Sequence, residues 1–189
     1  MHKILKLADN IHLLNLGSMD SNVYVINKDT LIDSSSGMHP EFLKKGLQQL
    51  GIDMQNIKQV INTHHHVEHV GGNSLFHNAK KMMHKKSLEI WKKNDEVKTH
   101  AIMFPHSFGE IKADVLLEHN NSINIGGTIL KILQSPDNED GHICIYDSKR
   151  GFLFSGDTNI ELVASLNLDL SKILPAHGKP IDVETEKPI

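Results

Sequence analysis

The densest run of metal-binding side chains lies at residues 63–72, which read Thr-His-His-His-Val-Glu-His-Val-Gly-Gly. Four imidazoles and one carboxylate fall within six positions, directly after a short apolar segment. Imidazole nitrogens and carboxylate oxygens are ordinary zinc ligands, and alternate residues of an extended segment point to the same side. His64 and His66 are therefore predicted to share one ion, and a turn would direct Glu68 and His69 towards a second ion nearby.

A solvated polar loop with an accidental histidine run is the alternative interpretation of this segment. An accidental run would not place a carboxylate among the histidines, between the apolar pair Val60-Ile61 and the pair Gly71-Gly72. Paired glycines let the backbone close up tightly after the predicted ligands. We therefore interpret residues 63–72 as the centre of a metal site that follows a buried strand.

The remaining pattern predicts two groups of strands, each followed by helical segments. Short runs rich in Ile, Leu and Val, separated by Asn, Asp and Gly, predict strands within residues 4–32 and again within 115–154, with a hairpin turn at Gly126-Gly127. A loop at 94–112 could overhang the site, and residues 172–174 form a last strand before a surface tail. Two sheets packed together with helices outside are therefore expected. Helices are predicted at 40–50, 73–79, 87–93 and 160–168.

Composition excludes several classes of function. A length of 189 residues predicts a single domain, residues 1–189. Twenty Lys and Arg against 23 Asp and Glu give a net charge of −3, too balanced for a nucleic-acid partner held by its phosphates. One cysteine, Cys144, excludes a disulfide framework and a cysteine-based zinc cluster. Without a long apolar run or a secretory signal, we expect a cytoplasmic protein with no membrane partner.

The segment 64–69 resembles the H-x-H-x-D-H signature of the metallo-β-lactamase superfamily. Three further motifs are similar to those of the family and occur in the same order: Ile-Asp-Ser-Ser-Ser-Gly at 32–37, Leu-Phe-Ser-Gly-Asp-Thr at 153–158 and Leu-Pro-Ala-His-Gly at 174–178. The resemblance implies an α/β fold, a four-layer αββα sandwich of two mixed β-sheets with helices on the outer faces. It also implies a metal-ligand set consisting of His64, His66, Glu68, His69, Asp157, which would bridge two metals, and His177.

Two positions depart from the family pattern. Glu68 stands where the family usually has Asp, and its extra methylene would push the second metal outward or require the loop to shift. Asn138 stands where the family has the third histidine of the first metal site, and a neutral amide oxygen is a weak ligand for zinc. Three outcomes are therefore open: one metal at the second site; two metals, with Asn138, a water, Asp137, Asp140 or His142 completing the first shell; or poor metal binding.

The resemblance implies a metallohydrolase in which metal-activated hydroxide attacks a small-molecule thioester, lactone or related ester or amide carbonyl. Asp157 and Glu68 would be the catalytic carboxylates, with Asp157 orienting the hydroxide and Glu68 fixing the second site. The expected cofactor is zinc, as one or two ions, with iron or manganese as alternatives. The chain resembles the hydroxyacylglutathione hydrolase (glyoxalase II) branch, but it ends soon after His177, so glutathione thioesters are not expected as substrates.

The sequence is also compatible with two other functions. An iron-dependent redox protein of the same fold, similar to flavodiiron proteins or persulfide dioxygenases, would use the same histidines and carboxylates. A catalytically degenerate binding protein of the fold is the other alternative, and Asn138 is the residue that favours it. Iron content with a visible absorption band would identify the first alternative, and an absence of metal the second.

Overall fold

The computed structural model describes residues 3–17, 19–105, 108, 110–135, 137 and 140–183. The strands in this part of the chain are β1 (Lys3–Ala8), β2 (Ile11–Asn15), β3 (Val23–Ile26), β4 (Thr30–Ile32), β5 (Gln59–Ile61), β6 (Lys80–His84), β7 (Val115–Leu117), β8 (Ser122–Ile125), β9 (Thr128–Gln134), β10 (Ile143–Asp147), β11 (Phe152–Gly156), β12 (Lys172–Pro175) and β13 (Ile181–Asp182). The helices are α1 (Pro40–Gln49), α2 (Val67–Val70), α3 (Lys85–Lys92) and α4 (Ile160–Val163), with 3₁₀ helices at Met54–Asn56, Gly71–Leu75, Ala101–Met103 and Ala164–Leu166.

The strands form two mixed sheets. The first sheet has the order β1-β2-β3-β4-β5-β6-β7 and the second the order β13-β12-β11-β10-β9-β8. Strands β4 to β7 are parallel neighbours in the first sheet, and β11 and β12 are a parallel pair in the second. Parallel strands present their carboxyl ends at one edge of a sheet, which is where ligand-binding loops of such sheets collect.

Alternation of side chains along the strands produces the layers. Leu13 of β2 and Tyr24 of β3 enter a core that also contains Ile145 and Phe154 of the second sheet, so this core lies between the sheets. The neighbouring Leu14 points to the opposite face of the first sheet, because successive side chains of a strand alternate between faces. Each sheet is therefore apolar on both faces, and its outer face needs helices to cover it.

The helices cover these outer faces. Leu43 and Leu47 of α1 pack with the outer residues of the first sheet, and Leu88 of α3 packs with Met83 of β6. Val163 of α4 packs on the outer face of the second sheet. The four-layer αββα sandwich predicted from the sequence is confirmed. Among the helices of the described residues, none has the length and apolar character needed to cross a bilayer.

Three sequence-based predictions of local structure were wrong or incomplete. Residues 73–79, predicted to be helical, contain the end of a 3₁₀ helix and a turn, and the unpredicted strand β6 follows them. The helix predicted at 160–168 stops its α-helical part at Val163, and Asn167 adopts a left-handed φ of 51° that ends the 3₁₀ turn. The tail after Pro180 contributes β13, which pairs with β12.

The two sheets are tied together at the edge where the parallel strands end. The backbone N–H of Asn22 donates to the carbonyl of Ala176 at 2.7 Å. The hydroxyl of Tyr24 donates to the carbonyl of Pro175 at 2.6 Å, and the Asn22 amide nitrogen donates to the same carbonyl at 2.9 Å. These buried hydrogen bonds connect the start of β3 to the end of β12, so the loops of the two sheets are held face to face.

Candidate metal centre

Three loops that follow parallel strands bring the predicted ligands to one edge of the sandwich, and a fourth brings Asp33. Asp33 directly follows β4, and the histidine segment 63–69 follows β5. Asp157 directly follows β11, and His177 lies two residues after β12. Strands of both sheets therefore contribute, as expected for a site whose ligands are far apart in the sequence.

The structure brings all six predicted ligands together as two groups. Glu68, His69, Asp157 and His177 each offer one ligand atom, and these four atoms all lie within 4.8 Å of one another. His64, His66 and Asp157 form a second group by the same measure. Asp157 belongs to both groups, which is the arrangement required of a carboxylate that bridges two metals.

Distances around Asp157 support that arrangement. Its Oδ2 lies 3.5 Å from Nε2 of His64 and 3.4 Å from Nε2 of His69. Its Oδ1 lies 3.6 Å from Nε2 of His177. These separations exceed ordinary hydrogen-bond lengths but suit atoms that would share a cation, since each ligand sits about 2 Å from a bound zinc ion.

Two buried atoms in this cluster make no hydrogen bond that meets ordinary geometry. Among the described residues, no hydrogen-bond partner faces Nε2 of His69 or Oε2 of Glu68, although both atoms are buried. Buried polar atoms are nearly always satisfied, and one left without a partner needs an explanation. A nitrogen and a carboxylate oxygen that converge without hydrogen bonds form a donor set suited to a divalent metal ion, so these residues fit the cofactor that the sequence predicts.

Asp33 orients His69 from behind. Nδ1 of His69 lies 2.9 Å from Oδ2 of Asp33, and Thr63 donates to Asp33 through its backbone N–H at 2.8 Å and its hydroxyl at 2.9 Å. A carboxylate accepts only, so Nδ1 carries a hydrogen and Nε2 is the nitrogen turned towards the site, where a metal ion would replace its proton. The sequence placed Asp33 in a motif without assigning it a role. Its position at the carboxyl end of β4 is the signal that could have revealed that role.

The electrostatics of the cluster favour a cation. Burial alone would lower the pKa of His69, but the carboxylates of Asp33 and Asp157 outweigh burial and raise this pKa to about 10. Burial would raise the pKa of Asp157, but His69 holds it at about 2. Burial, together with the imidazoles of His69 and His142, holds the pKa of His64 well below its ordinary value. His64 would thus be a neutral ligand, and the carboxylates attract positive charge to the position between them.

Residues 66–72, which we call the ligand turn, end in the glycine pair Gly71-Gly72. As predicted, these glycines let the turn pack tightly against the neighbouring loop. A Cβ at Gly71 would lie 2.1 Å from the carbonyl oxygen of Ser36, and one at Gly72 would lie 2.0 Å from that of Ser34. The N–H of Ser34 donates to the carbonyl of His69 at 2.9 Å, so this close approach fixes the backbone that carries the ligand. Only glycine allows the two loops to meet at this distance.

The described substitutes for the third histidine contact other protein groups. Asp140 is exposed and pairs with Lys86 at 2.8 Å. Nε2 of His142 accepts the backbone N–H of Asp157 at 3.3 Å, and its Nδ1 lies 3.1 Å from Oδ2 of Asp137. Neither aspartate nor His142 belongs to a metal-ligand group among the described residues. Asn138 lies outside the described residues.

One residue at the site was not singled out by the sequence. Nδ1 of His100 lies 3.2 Å from Oε1 of Glu68, and the His100 ring stacks on that of His66 with ring centroids 3.6 Å apart. His66, Glu68 and His100 form a third group whose ligand atoms lie within 4.8 Å of one another. Nothing in its spacing connects His100 to the histidine segment. The prediction that residues 94–112 overhang the site was the nearest signal.

Comparison with known proteins establishes the family. The model of the metallo-β-lactamase superfamily matches residues 16–171. The chain belongs to this superfamily. A hydroxyacylglutathione hydrolase of Synechococcus sp. (strain JA-2-3B'a(2-13)) is 28% identical over 141 residues, covering 74% of this chain and 49% of that protein. The beta-lactamase-like protein 2 homolog of Caenorhabditis elegans is 22% identical over 187 residues, covering 88% of this chain and 59% of that protein.

The chain therefore spans about half the length of the curated relatives it matches. Among solved structures, a metallo-beta-lactamase family protein from Thermus thermophilus superposes with a TM-score of 0.77 at 20% identity, covering 94% of this chain and 76% of that chain. The subclass B3 metallo-beta-lactamase BJP-1 of Bradyrhizobium japonicum superposes with a TM-score of 0.70 at 20% identity, covering 92% of this chain and 77% of that chain. At these identities the structural likeness establishes the fold.

Proposed function

We propose that the chain is a metal-dependent hydrolase that attacks the carbonyl carbon of a small-molecule thioester, lactone or related ester or amide and breaks its bond to sulfur, oxygen or nitrogen. The observation that carries the proposal is the group formed by Glu68, His69, Asp157 and His177, whose ligand atoms converge although they come from both sheets. Membership of the superfamily supports metal-dependent hydrolysis, and the hydroxyacylglutathione hydrolase relative supports a thioester as the first substrate class to test.

Zinc is the proposed cofactor, held by Glu68, His69, Asp157 and His177. A second ion beside Asp157 would be held by His64 and His66, and it would replace the 2.9 Å contact between Nε2 of His64 and Nδ1 of His66. Mixed nitrogen and oxygen ligands suit zinc, and they also accommodate iron or manganese. When bound at such a site, a divalent ion supplies a nucleophile at neutral pH by lowering the pKa of a coordinated water, and it polarises the substrate carbonyl.

The protein's own residues orient the candidate ligands and leave one side of the site exposed to solvent. Asp33 holds the His69 ring in the orientation that presents Nε2 inward. Side-chain exposure rises from 0% at His64 and His69 to 25% at Asp157 and 46% at His177, so substrate would approach from the side of His177. Asp157 is exposed enough to accept a hydrogen bond from an attacking water, and it would thereby aim the water at the substrate.

A polar cleft beside His177 is the proposed substrate pocket. Its volume is about 360 Å³, within the range of small-molecule sites, and Asn15, Asp20 and Asn22 contribute to its lining. Oδ1 of Asp20 accepts hydrogen bonds from the N–H and hydroxyl of Ser36, which fix the carboxylate in place. A substrate with hydroxyl or amide groups matches this lining better than a purely apolar one.

Metal analysis and a substrate panel test the proposal. The purified chain is expected to contain one to two equivalents of zinc, manganese or iron per chain, and His69→Ala or Asp157→Ala should remove metal and activity together. His77→Ala changes an exposed histidine that lies outside the groups described above and serves as the matched control. Thioester, lactone and phosphodiester substrates should then be compared, with thioesters or lactones expected to turn over fastest.

Three results would overturn parts of this proposal. No bound metal after reconstitution would favour the degenerate binding protein. Iron with a visible absorption band and no hydrolysis would favour the redox protein. If phosphodiesters alone were cleaved, the assignment of a carbonyl substrate would be wrong. Asn138→His should raise metal occupancy at the first site, and an unchanged occupancy would refute the assignment of position 138 to that site.

A further inference from the structure

The carboxylate that departs from the family pattern has an unusual neighbour. Glu68 is longer than the family's Asp by one methylene, and its side chain is only 12% exposed. Its Oε1 lies 3.2 Å from Nδ1 of His100, whereas its Oε2 is buried and has no hydrogen-bond partner among the described residues. The two oxygens of this carboxylate thus have different surroundings, one beside an imidazole and one left for a cation.

We propose that His100 is a positioning residue that holds the Glu68 carboxylate in the orientation needed for metal binding, and so compensates for the longer side chain. This inference rests on the proposed function, because it assumes that the site binds a metal. Since a carboxylate only accepts hydrogen bonds, Nδ1 of His100 carries the hydrogen and donates it to Oε1. Glu has one more rotatable bond than Asp, so an additional contact is needed to restrict it.

His100 is itself held in place from two sides. Its ring stacks on the predicted ligand His66, with an angle of 25° between the ring planes. The preceding residue, Thr99, is buried, and its carbonyl accepts the backbone N–H of Val67 at 2.9 Å. A backbone hydrogen bond between Thr99 and Val67 therefore runs beside the contact between His100 and Glu68. These two contacts join the loop that carries His100 to the ligand turn.

A second attachment anchors the start of the same loop. The indole N–H of Trp91, on α3, donates to the carbonyl of His65 at 2.8 Å. The segment from Trp91 to His100 is thus bonded to the histidine segment at both of its ends. His100 adopts φ 60° and ψ 8°, a left-handed conformation that histidine, asparagine and glycine adopt more readily than most residues. This conformation determines which substitutions give a fair test.

Substitution of His100 by glycine or asparagine tests the hydrogen bond while the left-handed backbone conformation is kept. His100→Gly keeps the left-handed backbone but removes the donor, whereas His100→Asn keeps the backbone and places an amide N–H near the position of Nδ1. Zinc affinity should be measured on the full chain by competition with a chromophoric chelator. His100→Gly is expected to weaken zinc binding about tenfold to a hundredfold, and His100→Asn should stay within about threefold of the unsubstituted chain.

A shorter carboxylate provides the decisive control. In a Glu68→Asp background the side chain no longer reaches His100, so His100→Gly should change zinc affinity less than about threefold there. His77→Asn is the matched control for loss of an unrelated histidine. Melting temperatures of the metal-free variants report whether the fold is intact, and cobalt(II) absorption spectra report the number of nitrogen ligands. We expect the same cobalt(II) spectrum in His100→Gly once the site is saturated.

The outcomes that overturn the inference are distinct from failure of the proposed function. Equal zinc affinities for the unsubstituted chain and His100→Gly would refute the positioning role alone. An equal loss of zinc affinity in His100→Gly and His100→Asn would also refute it. So would a loss of zinc affinity on His100→Gly that is as large in the Glu68→Asp background as in the unsubstituted chain. A cobalt(II) spectrum that loses a nitrogen ligand would make His100 a direct ligand. If the unsubstituted chain bound no metal, the proposed function would fail first.

Discussion

Replacing Gly72 by alanine should loosen the metal-ligand turn and destabilise the protein at the same time. The added Cβ would lie 2.0 Å from the carbonyl oxygen of Ser34, and such contacts are essentially never shorter than 3.0 Å, so the two backbones must separate by about 1 Å. That movement stretches the hydrogen bond from Gly72 N–H to Ser35 and the two from Ser34 to the His69 carbonyl, which are 3.0, 2.9 and 3.0 Å long. At about 1 kcal/mol each, the net loss is about 3 kcal/mol.

Thermal unfolding and zinc titration measure this effect. In a chain of this size, 1 kcal/mol shifts the Tm by about 2–4 °C, so Gly72→Ala should lower it by about 6–12 °C. Zinc affinity should fall too, because the turn carries Glu68 and His69. Gly51→Ala is the control: Gly51 has φ +70°, and no described atom lies within 4 Å of the added Cβ, so only the backbone conformation is penalised.

The comparison between the two alanine variants is the critical result. Gly51→Ala should lose some stability but bind zinc like the unsubstituted chain, because no described atom of the ligand turn lies within 4 Å of the added Cβ. Equal zinc affinities in Gly72→Ala and Gly51→Ala would refute the argument that the close approach of Ser34 and Gly72 positions the ligands. An unchanged Tm in Gly72→Ala would refute the clash itself.

Further predictions concern the Cys144 thiol, the Tyr24 hydrogen bond and the metal. Burial raises the pKa of Cys144 to about 11, so thiol reagents at pH 8 should modify it only after unfolding; rapid native modification would contradict this. Because an unfolded thiol ionises near pH 8.5, the stability that Cys144 adds relative to Cys144→Ala is expected to be complete below about pH 8.5 and lost as the pH rises to about 11. Tyr24→Phe removes the 2.6 Å hydrogen bond to Pro175 and should cost about 1 kcal/mol, or about 2–4 °C in Tm; an unchanged Tm would mean that this bond adds no net stability. A chelator should lower the Tm, since a ligand at 100 times its Kd stabilises by about 2.7 kcal/mol, and His69→Ala should not respond to zinc or chelator.

Four of the six candidate ligands could be proposed from one local segment, and their role in metal binding stays a prediction. His64, His66, Glu68 and His69 lie within one short segment after a strand, and spacing alone indicated a metal site. Asp157 and His177 became candidates through family motifs. The supporting residues could not be predicted in this way. Asp33 and His100 reach the site only because strand order and the 94–103 loop bring them there, and no spacing in the sequence records that proximity.

The fold was predictable at the level of layers and less so for individual elements. Alternating apolar runs identified most strands, but β6 reads Lys-Lys-Met-Met-His and lacks the β-branched residues that mark a strand. It forms because β5 and β7 pair with it and because Met82 and Met83 fill cores on opposite faces of the sheet. Tertiary packing overrode local propensity here. That residues 1–189 form a single domain stays a prediction.

The hydrogen bonds from Asn22 and Tyr24 to the end of β12 join the two sheets without help from any ion. The loops that carry the candidate nitrogen and oxygen donors are therefore held opposite one another by protein groups. An ion bound between them would have to match the separation that these hydrogen bonds set. Calcium, which prefers longer bonds and more oxygen donors, should compete poorly with zinc at this site.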